Sequence, residues 1–159
     1  MSGASVNQRR ALRFDSVSEI MPDVRRVMVA PNTLANWSLA QICEHLTYSF
    51  VGSLEGFDLR NHRIKRFFIR RKMLQVALTK GIPRGWTVDP SITPHDDVVL
   101  EDAVDGLGAA IQRYLDYRGQ LHAHPLFGRM SRGVWDRVHC VHSAHHLSFV
   151  TTHDTGDSA

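Results

Sequence analysis

Residues 38–56 read SLAQICEHLTYSFVGSLEG, and this stretch decides the fold. Ser38 followed three residues later by Gln41 has the spacing of a capping box, in which each side chain satisfies the other residue's free backbone N–H at a helix start. Ala40, Ile42, Cys43, Leu46, Phe50, Val51 and Leu54 then recur at helical intervals until Gly56. The spacing predicts an amphipathic helix from Ser38 to just before Gly56, whose apolar stripe has to be buried against other helices.

The chain on either side has the same character. Ser16 and Glu19 repeat the box spacing, and Val17, Ile20, Val24, Val27 and Met28 predict a helix over 16–29, ending before Pro31. Pro22 lies inside it, so the first turn starts later or the helix kinks there. A third helix is predicted over about 64–80, carrying Phe67, Phe68, Leu74, Val76 and Leu78; Gly81 and Pro83 stop it, and Lys80 suits the negative end of its dipole. Residues 82–94 hold three prolines and no sustained period, an irregular loop that Trp86 can pin.

A fourth helix over about 97–118 has acidic residues Asp97, Glu101 and Asp102 near its start, and Gly119 at its end. After the turn-rich His124-Pro125-Leu126-Phe127-Gly128, Ser131 caps a last helix through Val150. No alternating strand, internal repeat or second domain stands out. The expectation is one all-α domain over 1–150, a four-helix bundle with a short fifth helical segment, and a frayed tail over 151–159.

Composition narrows the functional classes. With 43% hydrophobic and 22% charged residues, the chain can bury a core and is not of the disordered class. No apolar run approaches the roughly 18 residues of a membrane span. Residues 1–7 lack the apolar segment of a secretory signal. A cytoplasmic protein without a membrane partner is expected. Cys43 and Cys140 are too few for a disulfide framework and read as core thiols in a reducing compartment.

The net charge of +3 is modest. Residues Arg60 to Lys72 form a basic run around Phe67 and Phe68 that could follow phosphates and stack bases. Their helical spacing instead favours aromatics in the core under a solvated basic face, so nucleic acid is not the expected partner. Trp37 and Trp135 read as packing anchors. There is no nucleophilic triad, phosphate loop or dinucleotide fingerprint.

The histidines carry the chemistry. Of ten, seven (His122, His124, His139, His142, His145, His146, His153) fall in the last quarter of the chain. On a helix His142 and His146 lie about 40° apart and roughly 6 Å along the axis, the i,i+4 arrangement that lets two imidazoles grip one ion. His139 shares the stripe but sits roughly 10.5 Å from His146 along the axis, too far to join the same ion readily. His145 is turned about 100° away. Cys43 and Cys140, each two residues before a candidate ligand, should face away from a metal. A third ligand has to come from another helix. The alternative is a polar or partly buried histidine stripe satisfied by carbonyls or water.

Two segments resemble a known family: Asn36-Trp37-Ser38-Leu39-Ala40-Gln41-Ile42-Cys43-Glu44-His45-Leu46, and the stretch from His124-Pro125-Leu126-Phe127-Gly128 to His142-Ser143-Ala144-His145-His146-Leu147-Ser148-Phe149. With Arg9-Arg10 through Phe14-Asp15 they make the chain similar to the DinB-like superfamily, and more narrowly to its subgroup DUF1569. The resemblance covers most of the chain in helix order. It implies a divalent metal, commonly zinc or nickel, held by His45, His142 and His146 with a position left free. Such a site is suited to lowering the pKa of a thiol or water.

The activity expected of such a site is metal-dependent thiol transfer or hydrolysis on a small molecule, with neighbouring His139 as the proton acceptor. Homodimers are common among such relatives. Leu147-Ser148-Phe149 follows His146 where the thiol-transferring members carry an Arg-Gly type sequence, so the resemblance bears on the fold more than on transfer activity. The competing expectation is a non-catalytic helical module serving as a ligand-binding or structural scaffold.

Overall fold

The computed structural model describes residues 9–57, 67–82 and 93–152. These residues are mostly helical: α1 (Ile20–Val27), α2 (Leu39–Glu55), α3 (Phe67–Lys80), α4 (Leu100–Asp116) and α5 (Arg132–Leu147), with two short strands, β1 (Pro31–Thr33) and β2 (Val150–Thr152). None of these helices is long and apolar enough to cross a membrane.

The predicted cap of α2 is present in both halves. The Gln41 N–H donates to Ser38 Oγ at 3.2 Å, and the Ser38 N–H donates to Gln41 Oε1 at 2.9 Å. The helix ends where Gly56 adopts φ +99°, a conformation that costs a residue without a Cβ little. At the first helix Ser16 caps a 3-10 turn over Val17–Glu19, and α1 proper begins at Ile20. Pro22 is therefore the third helical residue, where no intrahelical partner awaits its missing N–H, and no kink is needed. Glu19 accepts from the Asp15 N–H at 3.0 Å, one residue earlier than the box spacing implied.

Two boundaries differ from expectation at the chain's end. The last helix stops at Leu147 rather than Val150, and Val150–Thr152 pair antiparallel with Pro31–Thr33, Asn32 opposite Thr151. Three-residue strands are too short to display a period-2 pattern, which is why neither was visible as an alternating run. Thr151 and Thr152, expected in the tail, belong to this ladder; 153–159 lie outside the described residues. So do 64–66 of the predicted third helix and most of the 82–94 loop, including Trp86. Of the basic run, the described side chains are those of Arg71 and Lys72, both exposed.

The core forms where α2 packs against α4 and α5, with α1 across them and α3 against α5. Ile20, Val24, Val27, Leu46, Phe50, Leu107, Tyr114, Trp135 and Leu147 are completely enclosed. A Cβ on Gly52 would meet the Phe57 ring at 2.3 Å, so glycine is what lets that ring fold back over α2.

Polar groups tie the elements together. Arg132 stands over the Tyr114 ring and donates to the carbonyls of Tyr114 (2.7 Å) and Tyr117 (2.8 Å), closing the carboxyl end of α4 against the start of α5. Gln41 and Glu44 hold His95 and Asp96 against α2.

Arg10 donates to both oxygens of Asp23 (2.9 and 2.8 Å) and to the Leu147 carbonyl (2.8 Å), while its backbone N–H reaches the Ser148 carbonyl at 2.9 Å. The N-terminal arm is thereby bolted to both α1 and the end of α5. Burial alone would raise the Asp23 carboxyl, but hydrogen bonds and charge from Arg10, joined by Arg26, outweigh it and hold the group below its ordinary value. The pair's contribution is thus fully present above the unfolded carboxyl's pKa of about 3.9 and is lost as pH falls through the depressed value.

Arg10→Met is expected to destabilise the chain by about 2 kcal/mol at pH 7, less than the ~3–5 typical of a broken buried pair because Arg26 still faces Asp23. In urea unfolding, a loss below roughly 0.5 kcal/mol would mean that the arm does not hold α1 to α5.

Candidate metal centre

His45 lies at the middle of α2, and His142 and His146 lie one turn apart near the end of α5. Packing of the two helices brings the three rings together. His45 Nε2 is 3.1 Å from His142 Nε2, and His146 Nε2 is 3.2 Å from the same atom. One ring nitrogen from each lies within 4.8 Å of the others. The three ring centroids are 4.8–5.0 Å apart, with interplanar angles of 65–77°.

Hydrogen bonding alone serves this arrangement poorly. A nitrogen of neutral imidazole carries either one proton or one lone pair, so His142 Nε2 cannot make two full-strength bonds to two other ring nitrogens. Three lone pairs aimed at one point are what a cation requires. With metal–nitrogen bonds of about 2.0–2.1 Å, tetrahedral ligand atoms stand about 3.3 Å apart, close to the two short separations here. The residues present fit a divalent ion.

The electrostatics keep the two α5 rings neutral. Burial first, then the neighbouring His146 and His45 rings, hold His142 well below its ordinary value. Burial, with His45, His145 and Arg9 nearby, lowers His146 to about 2. Neutral imidazole is the form that binds metal. His45 is buried, whereas His142 and His146 are half-buried, so the cluster retains some access to solvent.

Trp37, read from sequence as a packing anchor, stands against two of the three rings. Its ring lies 5.5 Å from His146 at 17° and 5.0 Å from His45 at 49°. A local signal for half of this existed. A residue just before an N-cap tends to fold over the helix's fourth position, which puts Trp37 on the stripe of Ile42 and, one turn on, His45. Its contact with His146 is tertiary and had no sequence signature.

The other candidates go elsewhere. His139, expected as a proton acceptor, lies in the aromatic core, stacked on Phe50 at 3.9 Å and on Trp135 at 5.0 Å, with Tyr114 edge-on. Its Nε2 is 3.3 Å from Ser53 Oγ, and burial lowers it to about 3. His145 turns away from the cluster's centre towards Arg9 and Phe149. His124 organises its own turn: Nδ1 accepts from the N–H groups of Leu126 (3.0 Å) and Phe127 (3.1 Å), fixing the proton on Nε2, and its ring stacks on Phe127. Cys43 and Cys140 are buried thiols, pushed up by burial to about 12 and about 11. A cavity of about 530 Å³ lies on the far side of α5, among residues including Leu12, Phe14, Leu78, Val141 and His145, and none of the three clustered histidines lines it.

A mostly helical protein with a three-histidine cluster across two helices is what the fold and site define. The chain belongs to the family described as "Protein of unknown function (DUF1569)", which matches residues 6–153. No curated protein and no solved structure matches it.

Outside the cluster, buried His139 and half-buried His124 set an acid limit. His124, lowered to about 4, and His139, lowered to about 3, stay neutral in the folded chain. Above pH ~6.5 both states are neutral and nothing is lost; as pH falls from there towards 4, only the unfolded chain takes up protons. Each histidine then removes about 1.4 kcal/mol of stability per pH unit. In urea unfolding of metal-free protein at pH 7.5, 6 and 5, His139→Phe is expected to lower the slope between pH 6 and 5 by about 1 kcal/mol per unit. An unchanged slope would mean that the His139 ring titrates normally in the folded state.

Proposed function

We propose that this chain is a divalent-metal protein of the DinB-like kind, acting on a small molecule by thiol transfer or hydrolysis, with His45, His142 and His146 as ligands and zinc or nickel as the ion. The observation that carries the reading is the convergence of one ring nitrogen from each histidine, with separations of 3.1 and 3.2 Å about His142 Nε2. The packing of α2 between α4 and α5, with α3 against α5, supports a four-helix bundle of that kind. A cytoplasmic location belongs to the same reading.

An ion bound here supplies Lewis acidity, which lowers the pKa of a thiol or water. The protein's own part is to present three imidazole donors in fixed positions and to leave a reachable side. His45 is anchored within the core of α2, while His142 and His146 share a helical face held by the burial of Trp135, His139 and Leu147 along α5. His139 enters this reading as a packing ring and not as the proton acceptor, since its ring is enclosed by Phe50, Trp135 and Tyr114 and burial opposes its protonation.

Elemental analysis of untagged protein tests the proposal. About one divalent ion per chain is expected, lost in His142→Ala while the far-UV circular dichroism of the variant is retained. Metal content unchanged in that variant, or no uptake after reconstitution with zinc and nickel, would remove the metal reading and leave a non-catalytic helical module.

A further inference from the structure

Trp37 is held where it is by the backbone. It directly precedes Ser38, whose reciprocal bonds with Gln41 fix the direction in which the chain enters α2. Gln41 is itself tied to the His95 carbonyl at 3.1 Å and to Asp96 Oδ1 at 3.3 Å. The indole therefore projects from a braced corner, and the rings it meets are His45 at 5.0 Å and His146 at 5.5 Å. These belong to different helices. Trp37 also packs against the hydrophobic core, and its two closest ring contacts there fall on two of the three clustered histidines.

We propose that Trp37 is a positioning residue for the metal centre: its indole braces the His45 and His146 rings so that their ring nitrogens face the ion. This rests on the metal reading above. An imidazole on a helix rotates about its terminal torsion over a broad, shallow range, so a ligand without lateral support loses part of its binding energy in ordering. The near-parallel stack on His146 and the tilted contact on His45 restrict that rotation in both rings. Hydrogen-bonding groups that orient metal-bound histidines typically change metal affinity by about tenfold to a hundredfold when removed, and a stacking brace on two rings is expected near the lower figure.

The test is a Co²⁺ titration of the full chain, followed by visible absorption, for wild type, Trp37→Phe and Trp37→Leu, with thermal unfolding of each in EDTA. Wild type is expected to bind about one Co²⁺ per chain. Trp37→Leu should weaken binding by about tenfold or more and change the shape of the absorption band, and Trp37→Phe, which keeps a flat face, should recover most of the affinity. The EDTA melting temperatures should not follow this order. Co²⁺ affinity in Trp37→Leu within twofold of wild type would overturn this inference and leave the metal reading intact. Equal losses in the Phe and Leu variants, or losses that track the melting temperatures, would overturn it as well. A wild type that takes up no Co²⁺ would overturn both.

Discussion

The stack of Phe50 on His139, with centroids 3.9 Å apart and planes 12° from parallel, sets the register between α2 and α5. Moving from Phe50 back to His45 along α2 corresponds to moving from His139 forward to His142 along α5, so the helices run antiparallel and the level of the clustered histidines is fixed by the aromatic level beneath it. Ser53, one turn further along α2, meets the same His139 ring through its hydroxyl. Tyr114 and Trp135 close the sides of the stack, and Tyr114 is in turn held by Asp136 at 2.7 Å and by the Arg132 guanidinium over its ring. A shift of one residue between the helices would rotate His45 by about 100° and scatter the cluster.

At the other end of the cluster the restraint is polar. Arg10 reaches Asp23 on α1 and the Leu147 carbonyl, and β2 then carries the chain into a ladder with β1. His146 thus sits just inside the most heavily tied end of α5. The centre is gripped from below by stacked rings and from above by an ion pair and a strand pair, while Trp37 bears on its flank.

What was legible in the sequence was whatever is local. The cap at Ser38, the stop at Gly56 and the pairing of His142 with His146 along one helical face depend on residues a few positions apart, and the structure carries all three. The place of His45 came from resemblance, because nothing in the spacing of α2 announces which residue of α5 it will meet. The strand pair, the Arg10–Asp23 pair and the second contact of Trp37 were out of reach for the same reason: each joins segments whose proximity exists only after the helices pack. His139 shows the converse. Its position on the histidine stripe was readable, but its neighbours were not, and it is the neighbours that make it a buried neutral ring.

The separation of 97 residues between His45 and His142 has a consequence for the life of the chain in the cell. While a ribosome is still synthesising the protein, His45 emerges early and has no partner to share an ion with; the full donor set exists only after α5 has been made and has found α2. Contacts between segments so far apart in sequence are slow to form, because loop-closure entropy is spent before they are made. A cation that three imidazole nitrogens could hold would therefore meet the complete set only in the finished chain, never in the growing polypeptide.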